Sequence, residues 1–250
     1  IFGNDRLFVF ITLENDNSLT EQINYLSSLQ FPIVEIKLNN IYDLSQEFFR
    51  WEIATALAGV VMKINPFDQP NVQAAKTLAI ESLNYYKKNK KLLIDSPVIE
   101  DDNFALFGMK NNFSTKEYLQ NFLETLNAND YFAILAFLPY SKNIENYLNE
   151  IRHNVRDKYK VATTLGFGPR YLHSTGQLHK GGKNNGRFIL LTNEIIDDIL
   201  VADEFYSYST LITAQAIGDF KALMNLNRSV IRIHIKDEIE KGLEKLYSIL

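Results

Sequence analysis

The chain of 250 residues is 46% hydrophobic and 22% charged, carries a formal net charge of −4 and contains no cysteine. That composition fits an ordinary soluble globular α/β chain of one large or two small domains, argues against a nucleic-acid partner, whose binders carry a basic face, and excludes disulfides and thiolate metal sites. No apolar run approaches the roughly 18 residues of a membrane-spanning helix, and no basic-then-apolar leader is visible, so the expectations are no membrane partner and a cytoplasmic location. The chain opens on Ile1 and enters a strand-like run almost at once. It is therefore expected to be a piece of a longer protein, with part of any active site outside it.

Two periodicities alternate along the chain. RLFVFITL (6–13) reads as a buried strand, LTEQINYLSSL (19–29) as a helix, FPIVEIKL (31–38) as a strand, and LSQEFFRWEIATALAGVV (44–61) and QPNVQAAKTLAIESLNYYKK (69–88) as helices. The polar, irregular stretch 88–112 is the expected domain boundary, and its basic start at 87–91 reads as a solvated helix end. The pattern then restarts, with helices over 115–126, 143–159, 208–226 and 237–250 and strands over 130–138, 160–167, 186–192 and 229–235. Strand–helix alternation of this kind predicts a layered α/β fold with parallel strands, in two modules, 1–95 and 105–250.

Two stretches concentrate chemistry. In INPFDQPNVQAAK (64–76), Pro70 suits the first turn of a helix, and Asp68 or Gln69 is placed to cap it. Gln69 and Lys76 lie about two turns apart, on one helix face. They could meet a polar ligand together, or the stretch could be a capped helix with an exposed lysine. In GPRYLHSTGQLHKGG (168–182), histidines, lysines and hydroxyls crowd a glycine-rich segment: five of the 11 glycines fall between Gly166 and Gly182. Histidine is the natural proton carrier near neutral pH. Against a ligand role stands a polar loop with satisfied histidines. His173 and His179 lack a third ligand for zinc, so no metal is expected. No G-x-G-x-x-G follows a strand, which argues against a dinucleotide cofactor.

NPFDQPNVQAAK resembles the C-terminal signature of glucose-6-phosphate isomerases, NPFDQPGVEAYK, with Asn71 and Gln73 as departures, and FFRWEIATALAGVVMK (48–63) resembles the helix that leads into it. LHSTGQ followed by KGGKNNGRFILL resembles a histidine-bearing LHSxGQ segment of bacillus-type isomerases, which there precedes the lysine motif and here follows it. The observed order, with DYFAILAFLPYS, TTLGFGPRYLHSTGQLHKGG and AIGDFKALMNLNRSVIRIHI, resembles the C-terminal part of bifunctional transaldolase/glucose-6-phosphate isomerase fusions over nearly the whole chain.

The resemblance implies a SIS-like, doubly wound first module followed by a second α/β module, and interconversion of glucose 6-phosphate and fructose 6-phosphate through a cis-enediol, without a cofactor. It makes Lys76 the lysine that stabilises the enediolate and His173 the ring-opening residue, with Gln69 holding substrate and Glu52 in a supporting role. Arg170, Ser174, Thr175 and Gln177 become further substrate contacts, and His179 and Lys180 phosphate or rim contacts. The base glutamate, the phosphate-binding module and the transaldolase domain are expected upstream in the same chain. The expected partners are sugar phosphates, these upstream domains and, because the isomerases are usually dimeric, a second copy. The competing expectation is a non-catalytic sugar-phosphate-binding module.

Overall fold

The computed structural model describes residues 6–110, 112–195, 198–236 and 238–250. The described residues divide into two compact units, one running as far as Asp68 and the other from Gln69 to Leu250.

In the first unit, β1 (Phe8–Leu13) and β2 (Ile33–Leu38) pair in parallel, Phe8 opposite Ile33 and Leu13 opposite Leu38. Helix α1 (Thr20–Ser28) makes the crossover. A short 3-10 turn at Ile41–Asp43, capped by Asn40, leads into α2 (Leu44–Met62). That helix ends on Lys63 in the left-handed region, and the chain folds back so tightly that a Cβ on Gly59 would lie 2.6 Å from the Pro66 ring.

The second unit is built on a six-stranded sheet of order β3-β4-β8-β7-β5-β6. These strands are β3 (Ile99–Glu100), β4 (Phe104–Phe107), β5 (Tyr131–Phe137), β6 (Ala162–Phe167), β7 (Gly186–Asn193) and β8 (Ser229–Ile235). β8, β7, β5 and β6 run parallel; β4 pairs antiparallel to β8, and β3 to β4. The helices are α3 (Pro70–Asn89), α4 (Thr115–Glu124), α5 (Lys142–Tyr159), α6 (Gly176–Gly181), α7 (Tyr208–Asn225) and α8 (Ile239–Ile249). Central strand β5 reads YFAILAF because both its faces are covered. Phe132, Ile134 and Ala136 meet the residues of α4, α5 and α8, whereas Ala133, Leu135 and Phe137 meet Tyr171, Leu172 and α7. The layered α/β architecture with a mostly parallel sheet is thus as expected.

Two features differ from the sequence reading. Stretch 88–112 is not a plain linker: it contributes β3 and β4, with Phe104 and Leu106 fully buried. These strands are too short to show periodicity, and β4 is held by its pairing with β8. Secondly, the units divide at Asp68/Gln69 rather than between 95 and 105. Helix α3 lies along α7 and buries Val72, Ala75, Ala79 and Leu83, so it belongs to the second unit. Among the described residues, no helix is long and apolar enough to cross a membrane.

Candidate functional site

Helix α3 begins with Pro70 at its first position, and neither Asp68 nor Gln69 caps it: the Gln69 side chain makes no cap hydrogen bond. The cap comes from elsewhere. The Asn71 N–H donates to Gln177 Oε1 at 3.1 Å, so a side chain of α6 satisfies one of the free donors at the start of α3. The two chemically rich stretches are thereby joined directly. Gln177, expected as a substrate contact, spends its carbonyl on this bond.

Between α3, α7 and the turn after β6 lies a cavity of about 260 Å³, close to the lower end of the range for small-molecule sites. Ala79, Leu83, Leu172 and Leu211 form apolar wall, and three polar side chains face it: Lys76 from α3, His173 from the 3-10 turn Arg170–His173, and Gln215 from α7. Lys76 and His173 are exposed, Gln215 half-buried. Among the described residues, no carboxylate lines the cavity. Such a site offers a cation for charge developing on oxygen, an imidazole for proton movement and a carboxamide for a hydroxyl. Gln215 escaped the sequence reading. Its only signal was a polar residue one turn before Asp219 in an otherwise apolar stretch of α7.

Other expected site residues lie apart from this cavity. Gln69 is exposed at the start of α3. Arg170 is exposed, its guanidinium 5.7 Å from the centre of the Tyr140 ring. Ser174 Oγ donates to the Tyr171 carbonyl at 3.1 Å, tying the hydroxyl to its own turn. Thr175 stands half-buried at the start of α6 without a side-chain cap bond. Glu52 lies on α2, in the other unit.

His179 and Lys180 depart from the expectation of phosphate or rim contacts: each is 1% exposed. α6 presses this side onto the sheet. The His179 ring stacks on Tyr131 and meets Phe188 edge-on, with Nδ1 2.9 Å from the Tyr131 hydroxyl. Burial, with the Lys180 charge adding to it, pushes this imidazole down to about 4, and burial pushes the Tyr131 phenol up to about 12. The Lys180 ammonium is ion-paired with Asp219, both side chains fully buried, and the Tyr171 hydroxyl donates to the same carboxylate. Burial, then the Asp219 charge, raises the Tyr171 phenol well above its ordinary value. Arg228 closes the far end of α6 by donating to the carbonyls of Lys180 and Gly182.

Comparison with known proteins adds a partial likeness. Over 74 residues the chain is 32% identical to a glucose-6-phosphate isomerase of Heliobacterium modesticaldum. The match covers 30% of this chain and 14% of the relative, so only a small part of that isomerase's length is represented. No family model matches the chain. Among solved structures, hypothetical protein TT0462 of Thermus thermophilus superposes with a TM-score of 0.40 at 14% identity, over 97% of this chain and 56% of that one.

Proposed function

We propose that this chain is the glucose-6-phosphate isomerase portion of a transaldolase/isomerase fusion, interconverting glucose 6-phosphate and fructose 6-phosphate. The observation that carries the reading is the meeting of Lys76 and His173, from two motifs far apart in sequence, on one cavity. The partial likeness to an isomerase supports it. In this reading the His173 imidazole moves the proton that opens the sugar ring, Lys76 stabilises negative charge on the cis-enediolate oxygen, and Gln215 holds a substrate hydroxyl. Transfer between the two carbons requires a carboxylate base. None of the described residues brings one to the cavity, so the base and the phosphate cradle are assigned to segments upstream of Ile1. The same feature favours the second reading, a sugar-phosphate-binding module without turnover.

The test is fructose 6-phosphate isomerisation by the longer protein. Lys76→Ala and His173→Ala are each expected to lower kcat/KM by about 100-fold or more while transaldolase activity stays unchanged. Undiminished isomerisation in both variants contradicts the assignment. Saturable fructose 6-phosphate binding, lost in Lys76→Ala, from a longer protein with no turnover selects the binding-module reading.

A further inference from the structure

The cavity walls trace back to two neighbouring residues of α7 that do not line it. Gly218 faces α3. A Cβ added there would stand 2.9 Å from the Ala79 nitrogen and 3.0 Å from the Ala75 oxygen, so α3 rests its backbone directly on α7 at this point. Lys76 is the residue after Ala75. Asp219, the next residue and so about 100° further round the helix, is buried on the sheet side, where it collects the ammonium of Lys180 from α6 and the hydroxyl of Tyr171 from the 3-10 turn. His173 follows Tyr171 by two positions. Gln215, one turn earlier on α7, stands in the cavity between the two walls.

A fully buried ion pair is not the cheapest way to fill a core, since apolar side chains of similar volume often serve as well. What the ion pair adds is geometry. One placement brings the ammonium, the carboxylate and the phenol together, and any other strands a buried polar group. Glycine at a helix-to-helix contact is equally specific, because even one methyl group forces the backbones apart.

We propose that the Gly218–Asp219 pair is the alignment device of this cavity: Gly218 sets the standing of the Lys76 wall, and Asp219, acting through Lys180 and Tyr171, sets that of the His173 wall. Both are positioning residues. The inference rests on the proposed function only in taking Lys76 and His173 as the working pair, and its test needs no sugar.

Residues 1–250 contain no cysteine, so within this 250-residue chain a Lys76→Cys, His173→Cys pair is unique. In the otherwise unaltered protein, a short bismaleimide is expected to bridge the two thiols efficiently. In a Gly218→Ala background the yield with the short linker is expected to fall several-fold, while a long linker still bridges them and far-UV circular dichroism is retained. Alanine forms helix better than glycine, so such a loss cannot be ascribed to a weakened α7. Replacing the ion pair outright, with Lys180→Met and Asp219→Leu together, is expected to cause the same fall in a folded protein. Tyr171→Phe removes a single hydroxyl and decides the Asp219 arm if the double variant does not fold. Unchanged short-linker yield in folded Gly218→Ala, or in both folded Asp219-arm variants, overturns the proposal. If the linker yields fall as expected but Lys76→Ala and His173→Ala leave isomerisation unchanged, the alignment stands and the isomerase reading falls. The converse pattern separates them the other way.

Discussion

His179 is held neutral by its surroundings, and that has a consequence for stability. Its folded value, about 4, lies below the ordinary 6.5. Between these two values the unfolded chain binds the extra proton and the folded chain does not, so stability is full above the unfolded value and drains away as pH falls through the window. From this group alone, the protein is expected to lose about 2 kcal/mol between roughly pH 8 and pH 5. Urea midpoints measured at the two pH values test this, with His179→Gln as reference. The variant is less stable throughout but its acid slope is shallower by that amount, and equal slopes contradict the assignment. The LHSTGQ motif singles out His173 as a candidate, whereas the burial of His179 and Lys180 is not written in it. Lysine is almost never fully buried unless paired, and the partner that permits it, Asp219, lies on a different element. Nothing local to LHKGG announces that pairing.

At the scale of elements, legibility followed length. The long periodic helices and the apolar strands β5, β7 and β8 are each visible in the sequence, because one periodicity persists over several residues. β3 and β4 were not, since their strand character comes from pairing and not from pattern. Their turn is held by Asp101, whose carboxylate accepts from the N–H groups of Asn103 and Phe104 and from the Thr115 hydroxyl, the first residue of α4. Burial raises that carboxyl, but these bonds outweigh it and hold it below the usual range. Helix α4 itself starts on a reciprocal cap. The Ser114 hydroxyl accepts from the Glu117 N–H at 3.4 Å, and Glu117 Oε2 accepts from the Ser114 N–H at 2.9 Å. Because α4 sends Leu119 and Leu123 fully into the core, fraying of its first turn reports on the whole unit. Ser114→Ala is expected to lower unfolding free energy by about 1 kcal/mol, read as a shift in urea midpoint at unchanged slope. A shift of the slope instead would mean that the denatured or native ensemble had changed, not the cap.

For the molecule as a whole, the decisive asymmetry is where apolar surface is buried. Both hydrophobic clusters draw their buried residues from 104–250, one on each face of the six-stranded sheet. Helix α3 adds a further layer on α7. By contrast, α2 keeps Phe48, Phe49, Leu57, Val60 and Val61 exposed, and among the described residues of the first unit only Thr12, Leu26, Leu38, Glu47 and Gly59 are buried. Polar residues concentrate after α3, which is why the sequence points to a boundary there. Composition marks where a chain is wet, however, and not which helix rests on which sheet. Independent folding requires a core of its own, and 69–250 has one. That fragment is expected to give a well-dispersed amide spectrum and one cooperative urea transition, with probes of helix content and of aromatic environment coinciding. Cutting instead at residue 96 would remove α3 and uncover the face of α7 that carries Leu211, Gln215 and Gly218. The shorter fragment is therefore expected to unfold at distinctly lower urea, or to lose coincidence between the two probes. Equal midpoints for the two fragments would return α3 to the first unit and with it the Lys76 wall of the cavity.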